Sequence, residues 1–383
     1  MHKQVKHFWK LALGLLFIYI LFLLVTNLSL FPFFLSPDKN IPLPVEDTNY
    51  PSLPTNDSLL PISSPSSPSS TSTTPLFNMT LPSATSYLSC AESSTTQKIY
   101  CFGGFLDPLN TFSIISEFDS RSSTDKVISV EMPHPADYLS CTKSSITHTL
   151  YCFGGRDKDV FYSEIFEYRP LQNVLLNKTT MPLGRAHFSC TESSATHKIY
   201  CFGGSSDKLY DEILMYDPLI NSVKIMRSRL PTPRYQVSCA NSALTQKIYC
   251  FGGAENDAKG HARRIDLVLE YDPVTDIAKT TRARLPTPRR LLSCVEQSTT
   301  HNIYCFGGDD AQGGFYDDII RYDPLSDSLA IVAHLPENRT GMSCAEDSPS
   351  SLYCFGGINQ NGIILDSIFK FTPSKGLFKR FPS

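Results

Sequence analysis

Tryptophan is almost missing: the 383 residues contain one, Trp9, so the core of whatever folds beyond it is built without that side chain. There is little net charge. Lysine and arginine number 34 against 37 acidic residues, giving a formal charge of -3 and a pI near 6.3. That balance gives no reason to expect nucleic acid or a polybasic lipid patch as partner. No HExxH, Walker loop, GxSxG or closely spaced cysteine cluster occurs, and the nine histidines show no ligand spacing. Metalloprotease, phosphate-loop and serine-hydrolase chemistry therefore lack their residues, and neither metal nor cofactor is expected.

Charge is also absent along one stretch, from Lys10 to Asp38. Within it, Leu11 to Leu30 at about 1.5 Å per residue matches a hydrocarbon core of roughly 30 Å, before Pro32 disturbs a helix. A cleaved signal peptide is the rival reading, but its apolar core is usually shorter, and no small-x-small cleavage site follows. Lys3, Lys6 and Lys10 precede the stretch, whereas Asp38, Glu46 and Asp47 follow it. The positive-inside rule then expects residues 1–10 in the cytosol, 11–35 as a signal-anchor, and the remainder lumenal or extracellular as in a type II single-pass protein. Between Ile41 and Ser86, 27 of 46 residues are Pro, Ser or Thr, so residues 36–76 read as an extended stalk. Sequons at Asn56, Asn78, Asn177 and Asn338 fit passage through the secretory pathway. Residues 77–383 remain for a folded domain.

That domain is repetitive. YCFGG begins at Tyr100, Tyr151, Tyr200, Tyr249, Tyr304 and Tyr353, at intervals of 51, 49, 49, 55 and 49 residues. A Ser-Cys pair precedes each copy and an aromatic residue follows. A period near 50, with short strand-like runs separated by Gly, Pro and Asp, describes propeller blades and not a helical solenoid. The double glycine ending the second strand, the later aromatic and the Pro-x-Pro-Arg or Pro-x-x-Arg leading into later units resemble kelch repeats. The resemblance implies an all-β, six-bladed propeller of four-stranded antiparallel blades. Kelch units usually carry Trp about seven residues after the aromatic. This chain has Leu175, Val223, Ala278, Leu329 and Phe378 there, and Thr85 and Ala136 replace the leading arginine in the first two units.

The cysteines also come in pairs, one pair to each unit. Cys90 pairs with Cys101, Cys141 with Cys152, Cys190 with Cys201, Cys239 with Cys250, Cys294 with Cys305, and Cys344 with Cys354, 10 or 11 residues apart. This is hairpin spacing. With Ser-Cys on one strand and Tyr-Cys-Phe on the next, facing cysteines approach closely enough for one disulfide per blade. Zinc is the competing reading, although its sites favour shorter spacings and gather four ligands. Alternation places Ile99 and Cys101 on one blade face and Tyr100 and Phe102 on the other, each toward a neighbouring blade. The glycine pairs are expected to permit a tight exit from the second strand. Either Leu76–Leu81 or Lys375–Ser383 could supply the outer strand that closes the ring.

Propellers bind at the channel mouth. Five residues before the first-strand cysteines stand Arg185, Arg234, Arg289 and Arg339, which either converge on an anion or brace their own blade junctions. Three residues before the same cysteines come Tyr87, Tyr138, His187, Gln236, Leu291 and Gly341, a set mixed enough for a binding surface. Galactose oxidase shares the kelch-like propeller, but its copper chemistry needs a Cys-Tyr cross-link, and here every cysteine has a repeat partner. Sialic acid mutarotases share the architecture too, and converging arginines would suit their acidic sugar. The expectation is a membrane-anchored, extracytosolic kelch module that binds an unknown protein or glycan without catalysis. The alternative is a lumenal carbohydrate-active enzyme of the mutarotase kind.

Overall fold

A computed structural model describes residues 79–107, 110–257, 259–347 and 351–373. The expected anchor, the whole of the expected stalk, Asn56, Asn78 and Phe378 lie outside the described residues. Among the described residues no helix is long and apolar enough to cross a membrane.

Six antiparallel sheets succeed one another around an axis. Their innermost strands are Ser89–Ser93, Ser140–Lys143, Ser189–Glu192, Ser238–Ser242, Ser293–Glu296 and Ser343–Asp347, each beside the next, with the last returning to the first. In blades 1 to 5 the chain runs outward through four strands in sequence order. Blade 6 takes three strands from its own repeat, and the segment before blade 1 completes it. Thr80 bridges Ser367, the Leu81 amide donates to the Asp366 carbonyl (2.7 Å), and the Ile368 amide to the Met79 carbonyl (2.9 Å). Leu81 therefore occupies the place that Leu230 holds in blade 3, where its amide donates to Asp211. Of the two ways to close the ring, the N-terminal one is seen.

Each YCF strand is apolar on both faces because each face meets another blade. Tyr100 and Phe102 pack toward blade 2, while Ile99 and Cys101 pack toward blade 6. The aromatic of each third strand completes a triad with the previous blade: Tyr168 lies 5.3 and 5.8 Å from Tyr100 and Phe102, and Phe118 closes the circle against Tyr353 and Phe355. At the position where tryptophan is customary, Leu175, Val223, Ala278 and Leu329 pack against these same clusters.

All twelve cysteines form the six expected in-blade disulfides. Cys90 is bonded to Cys101, Cys141 to Cys152, Cys190 to Cys201, Cys239 to Cys250, Cys294 to Cys305, and Cys344 to Cys354, each with Cα atoms 4.0 Å apart. In every blade the two are directly opposed in the register of strands one and two. With no cysteine left free, zinc has no thiolate to bind. The adjacent serine explains the Ser-Cys pair. Ser89 Oγ accepts the amide of Cys141 in the next blade, as do Ser140 for Cys190, Ser189 for Cys239, Ser238 for Cys294, Ser293 for Cys344 and Ser343 for Cys90, all at 2.8–2.9 Å. Cysteine thus staples its own blade while serine joins it to the next. The glycine exit has the required geometry: Gly103 and Gly104 have φ of +58° and +100°, and a Cβ on Gly103 would meet the Ala136 carbonyl oxygen at 2.2 Å.

Candidate functional site: the channel mouth

Strand two ends at its glycine pair on the same side of the ring where the chain crosses from one blade's outer strand to the next blade's inner strand. Just before each inner strand the backbone turns left-handed, at Tyr87, Tyr138, His187, Gln236, Leu291 and Gly341, with φ between 50° and 65°. This conformation aims each amide at the carbonyl of the same residue one blade back. Tyr138 donates to Tyr87, His187 to Tyr138, Gln236 to His187, Leu291 to Gln236, Gly341 to Leu291 and Tyr87 to Gly341, at 2.6–3.2 Å. The six bonds form a closed belt, and the six residues line an axial cavity of about 130 Å³.

The belt side chains divide the mouth. On one side the Tyr87 and Tyr138 rings stack at 4.1 Å, Tyr138 approaches His187 at 4.0 Å, and Leu291 and Ile358 join Phe105, Phe315 and Ile364 in an apolar cluster. Gly341 has no side chain where Tyr87 lies, since a Cβ there would stand 2.5 Å from the tyrosine ring. Across the cavity the surface is polar. His187 Nδ1 is 2.8 Å from Ser205 Oγ, and Gln236 Oε1 is buried without a hydrogen-bond partner among the described residues. Burial, helped by Arg156 and Arg290, holds His187 well below the usual imidazole range, so it is neutral at physiological pH. Around it Arg156 pairs with Asp137 at 3.4 Å, and Asp309 takes Arg290 at 3.0 Å, Arg264 at 3.4 Å and the Thr340 hydroxyl at 3.0 Å.

The structure separates the two sets of residues that spacing nominates. Tyr87, Tyr138, His187 and Gln236 come together at the axis. The four arginines do not join them, because each is buried within its blade junction. Arg185 reaches Glu212 (2.8 Å) and the Gly203 carbonyl (3.3 Å) and lies 4.0 Å from the Tyr210 ring centre. Arg289 repeats this with Asp318, Gly307 and Tyr316. Arg339 pairs with Glu337 and Gly356, and Arg234 donates to Thr232. The backbone carbonyl of each accepts the second glycine of the preceding blade, so the residue locks two blades at once. Of the two readings of these arginines, their burial in separate junctions fits the brace, and burial lowers the pKa of Arg234 and Arg339. Spacing alone also passes over Arg156, Ser205, Asp309 and Arg290. For Arg156, Ser205 and Asp309 the signal is variability just after each glycine pair, where Phe105, Arg156, Ser205, Ala254, Asp309 and Ile358 are equivalent.

Of the glycosylation positions, Asn177 is exposed on the outer strand of blade 2 and Asn338 is half-buried beside Arg339. The described His/Asp/Glu residues include one group close enough to share an ion, Asp317, Asp318 and His334, which is partly exposed and contributes nothing to the lining of the axial cavity.

Six blades of this construction, with a double glycine closing each second strand, define a kelch-repeat β-propeller. The family model of the KLHDC2/KLHL20/DRC7 Kelch-repeats domain matches residues 66–253. The propeller is also similar to the solved structure of YjhT, with a TM-score of 0.64 over 78% of this chain and 97% of that one. At 15% identity that likeness concerns the fold alone. No curated protein matches the sequence.

Proposed function

We propose that this chain is a membrane-anchored, extracytosolic kelch module whose channel mouth recognises a protein or glycan ligand and performs no chemistry on it. Kelch propellers commonly serve as protein-binding modules, and the mouth has the amphipathic character such recognition uses, with aromatic and aliphatic side chains facing neutral hydrogen-bonding groups. The observation that carries the reading is the belt: it brings six side-chain positions of differing chemistry to one axial cavity, among them Gln236, whose Oε1 has no donor among the described residues. Six disulfides support placement outside the cytosol, and the uncharged stretch between Lys10 and Asp38 supports the anchor. The acidic-sugar enzyme requires arginines open to the channel, and all four are enclosed.

The test uses the soluble propeller from Thr74 onward against glycan arrays and against cell-surface proteins captured by cross-linking. A ligand lost on Gln236→Leu and Tyr138→Ala, yet kept on Arg289→Lys, is the expected outcome. A ligand insensitive to both mouth variants would place recognition elsewhere on the ring. Protease accessibility in sealed vesicles checks the topology: the propeller should be protected from the cytosolic side.

A further inference from the structure

Two pairs of exposed arginines lie on the rim, away from the mouth. The outer strands of blades 3 and 4, Ser222–Arg229 and Ile277–Arg284, carry Lys224, Arg227 and Arg229, and Lys279, Arg282 and Arg284. All six are exposed. Counting back from the Leu-Pro turn, the two arginines occupy the same places in both blades, whereas blades 1, 2 and 5 have Ser129 and Glu131, Lys178 and Thr180, and Val332 and His334 there. Were the pair a requirement of the blade, it would recur in every one.

Their postures repeat as well. Arg229 Nη1 folds back on the carbonyls of Met226 and Ser228, as Arg284 Nη1 does on Thr281 (2.6 Å) and Ala283 (2.8 Å), so both guanidinium groups are held along the strand edge. Arg227 and Arg282 extend into solvent, with side chains 93% and 91% exposed, and their nearest carboxylates, Asp276 and Asp327, stand 3.8 and 3.7 Å away. Those carboxylates have other work. Asp276 accepts the Arg227 amide at 3.0 Å and the Tyr271 hydroxyl, and Asp327 accepts the Arg282 amide at 2.8 Å and the Tyr322 hydroxyl. Asp211, 3.8 Å from Arg229, and Glu270, 3.2 Å from Lys279, are the other acids that approach these six cations among the described residues. Since Asp276 belongs to blade 4 and Arg227 to blade 3, this bond also sets the two basic edges side by side.

We propose that the adjoining edges of blades 3 and 4 form a binding surface for a linear sulfated polysaccharide. Arginines two residues apart along a strand are separated by roughly 7 Å, and the pair recurs on the neighbouring edge, a spacing suited to repeated anionic groups on an extended polymer. A chain of net charge -3 that gathers six exposed cations on two neighbouring edges has placed them there against its overall balance. Basic residues also protect edge strands from pairing with other chains. That role needs them on any open edge, and blades 1 and 5 manage without the pair. The proposal rests on the extracytosolic reading, because sulfated polysaccharides are encountered there.

The experiment is salt elution from immobilised heparin, with dissociation constants measured at about 0.15 M salt. The soluble propeller should be retained, and R227S/R229S/R282S/R284S should bind at least about tenfold more weakly with a shallower salt dependence. The corresponding four Arg→Lys changes should keep most of the binding, and Lys126→Ser on the edge of blade 1 should change nothing. Thermal unfolding of each variant separates lost binding from lost fold. Absence of retention, or equal retention of the serine variant, overturns the proposal. So does equally strong, equally arginine-dependent binding to phosphatidylserine vesicles, which would make the surface a lipid contact. If heparin is ignored while all six disulfides form and Asn177 is glycosylated, the polysaccharide surface fails and the extracytosolic reading stands; free thiols and no glycan would overturn the latter.

Discussion

Leu81 is a small part of the chain with a large topological consequence. It is buried among Leu88, Phe355 and Ile368, and its neighbours Met79 and Thr80 hold blade 6 by one bridge and two flanking backbone hydrogen bonds. Truncating a buried leucine to alanine costs about 2–5 kcal/mol. The equivalent Leu230→Ala in blade 3 sits in a matching pocket, so the two variants should lose similar stability locally. They should differ in where it is lost. Leu230 belongs to an outer strand covalently continuous with its own blade, whereas Leu81 belongs to a strand that reaches blade 6 from the other end of the domain. Leu81→Ala should therefore open the junction of blades 6 and 1 first. Hydrogen exchange is the assay, because local openings are visible there before global unfolding. Amides of Ile368–Phe371 and the Tyr87 belt amide should exchange about 30-fold faster or more at 2 kcal/mol of local destabilisation. A domain beginning at Pro82 should show the same pattern more strongly. Unchanged exchange in blade 6, or equal acceleration throughout the ring, would refute closure by this segment.

Other outcomes can be checked independently. Replacing Cys239 and Cys250 together by serine should cost about 3 kcal/mol by the loop-entropy account, measured by denaturant unfolding under non-reducing conditions. Arg289→Ala strips Asp318 and the Gly307 carbonyl of their partner and should destabilise by about 3–5 kcal/mol while leaving ligand affinity at the mouth unchanged once the protein is folded. Burial pushes Asp125 up to about 7, so its proton is held more tightly folded than unfolded. The stability it contributes is present at acid pH and falls as pH rises from about 4 to about 7; with Oδ1 buried and Oδ2 accepting from Ser116 Oγ, we expect a loss on the order of 2–4 kcal/mol, absent in Asp125→Asn. Asn177→Gln should remove one N-glycan by mass, since Asn177 projects from an exposed edge.

The period, the cysteine pairing and the two-faced YCF strand were all readable because each is a local rule repeated six times. The arginines were harder. Five residues before a cysteine and three residues before it both lie near the axis in a linear count, and only the left-handed turn at Tyr87 and its equivalents decides which side chain enters the channel. That turn has no common residue type: tyrosine, histidine, glutamine, leucine and glycine all adopt it. The serine of Ser-Cys was visible as a repeat, yet its partner is the following blade, which sequence order alone does not reveal. Ring closure was ambiguous for a similar reason, since two segments have suitable composition and only pairing with Ser367 distinguishes them.

The axial belt also fixes the electrostatics of the channel. Its six amide-to-carbonyl bonds all run in the same rotational sense, each blade donating to the one before it. Dipoles arranged head to tail around a circle cancel along its axis. The backbone therefore offers an entering ligand neither a positive nor a negative pole, unlike the end of a helix. Discrimination at the mouth is left to the five side chains the belt holds up and the gap at Gly341, so a change of ligand needs only substitutions at those positions and leaves the ring that carries them intact.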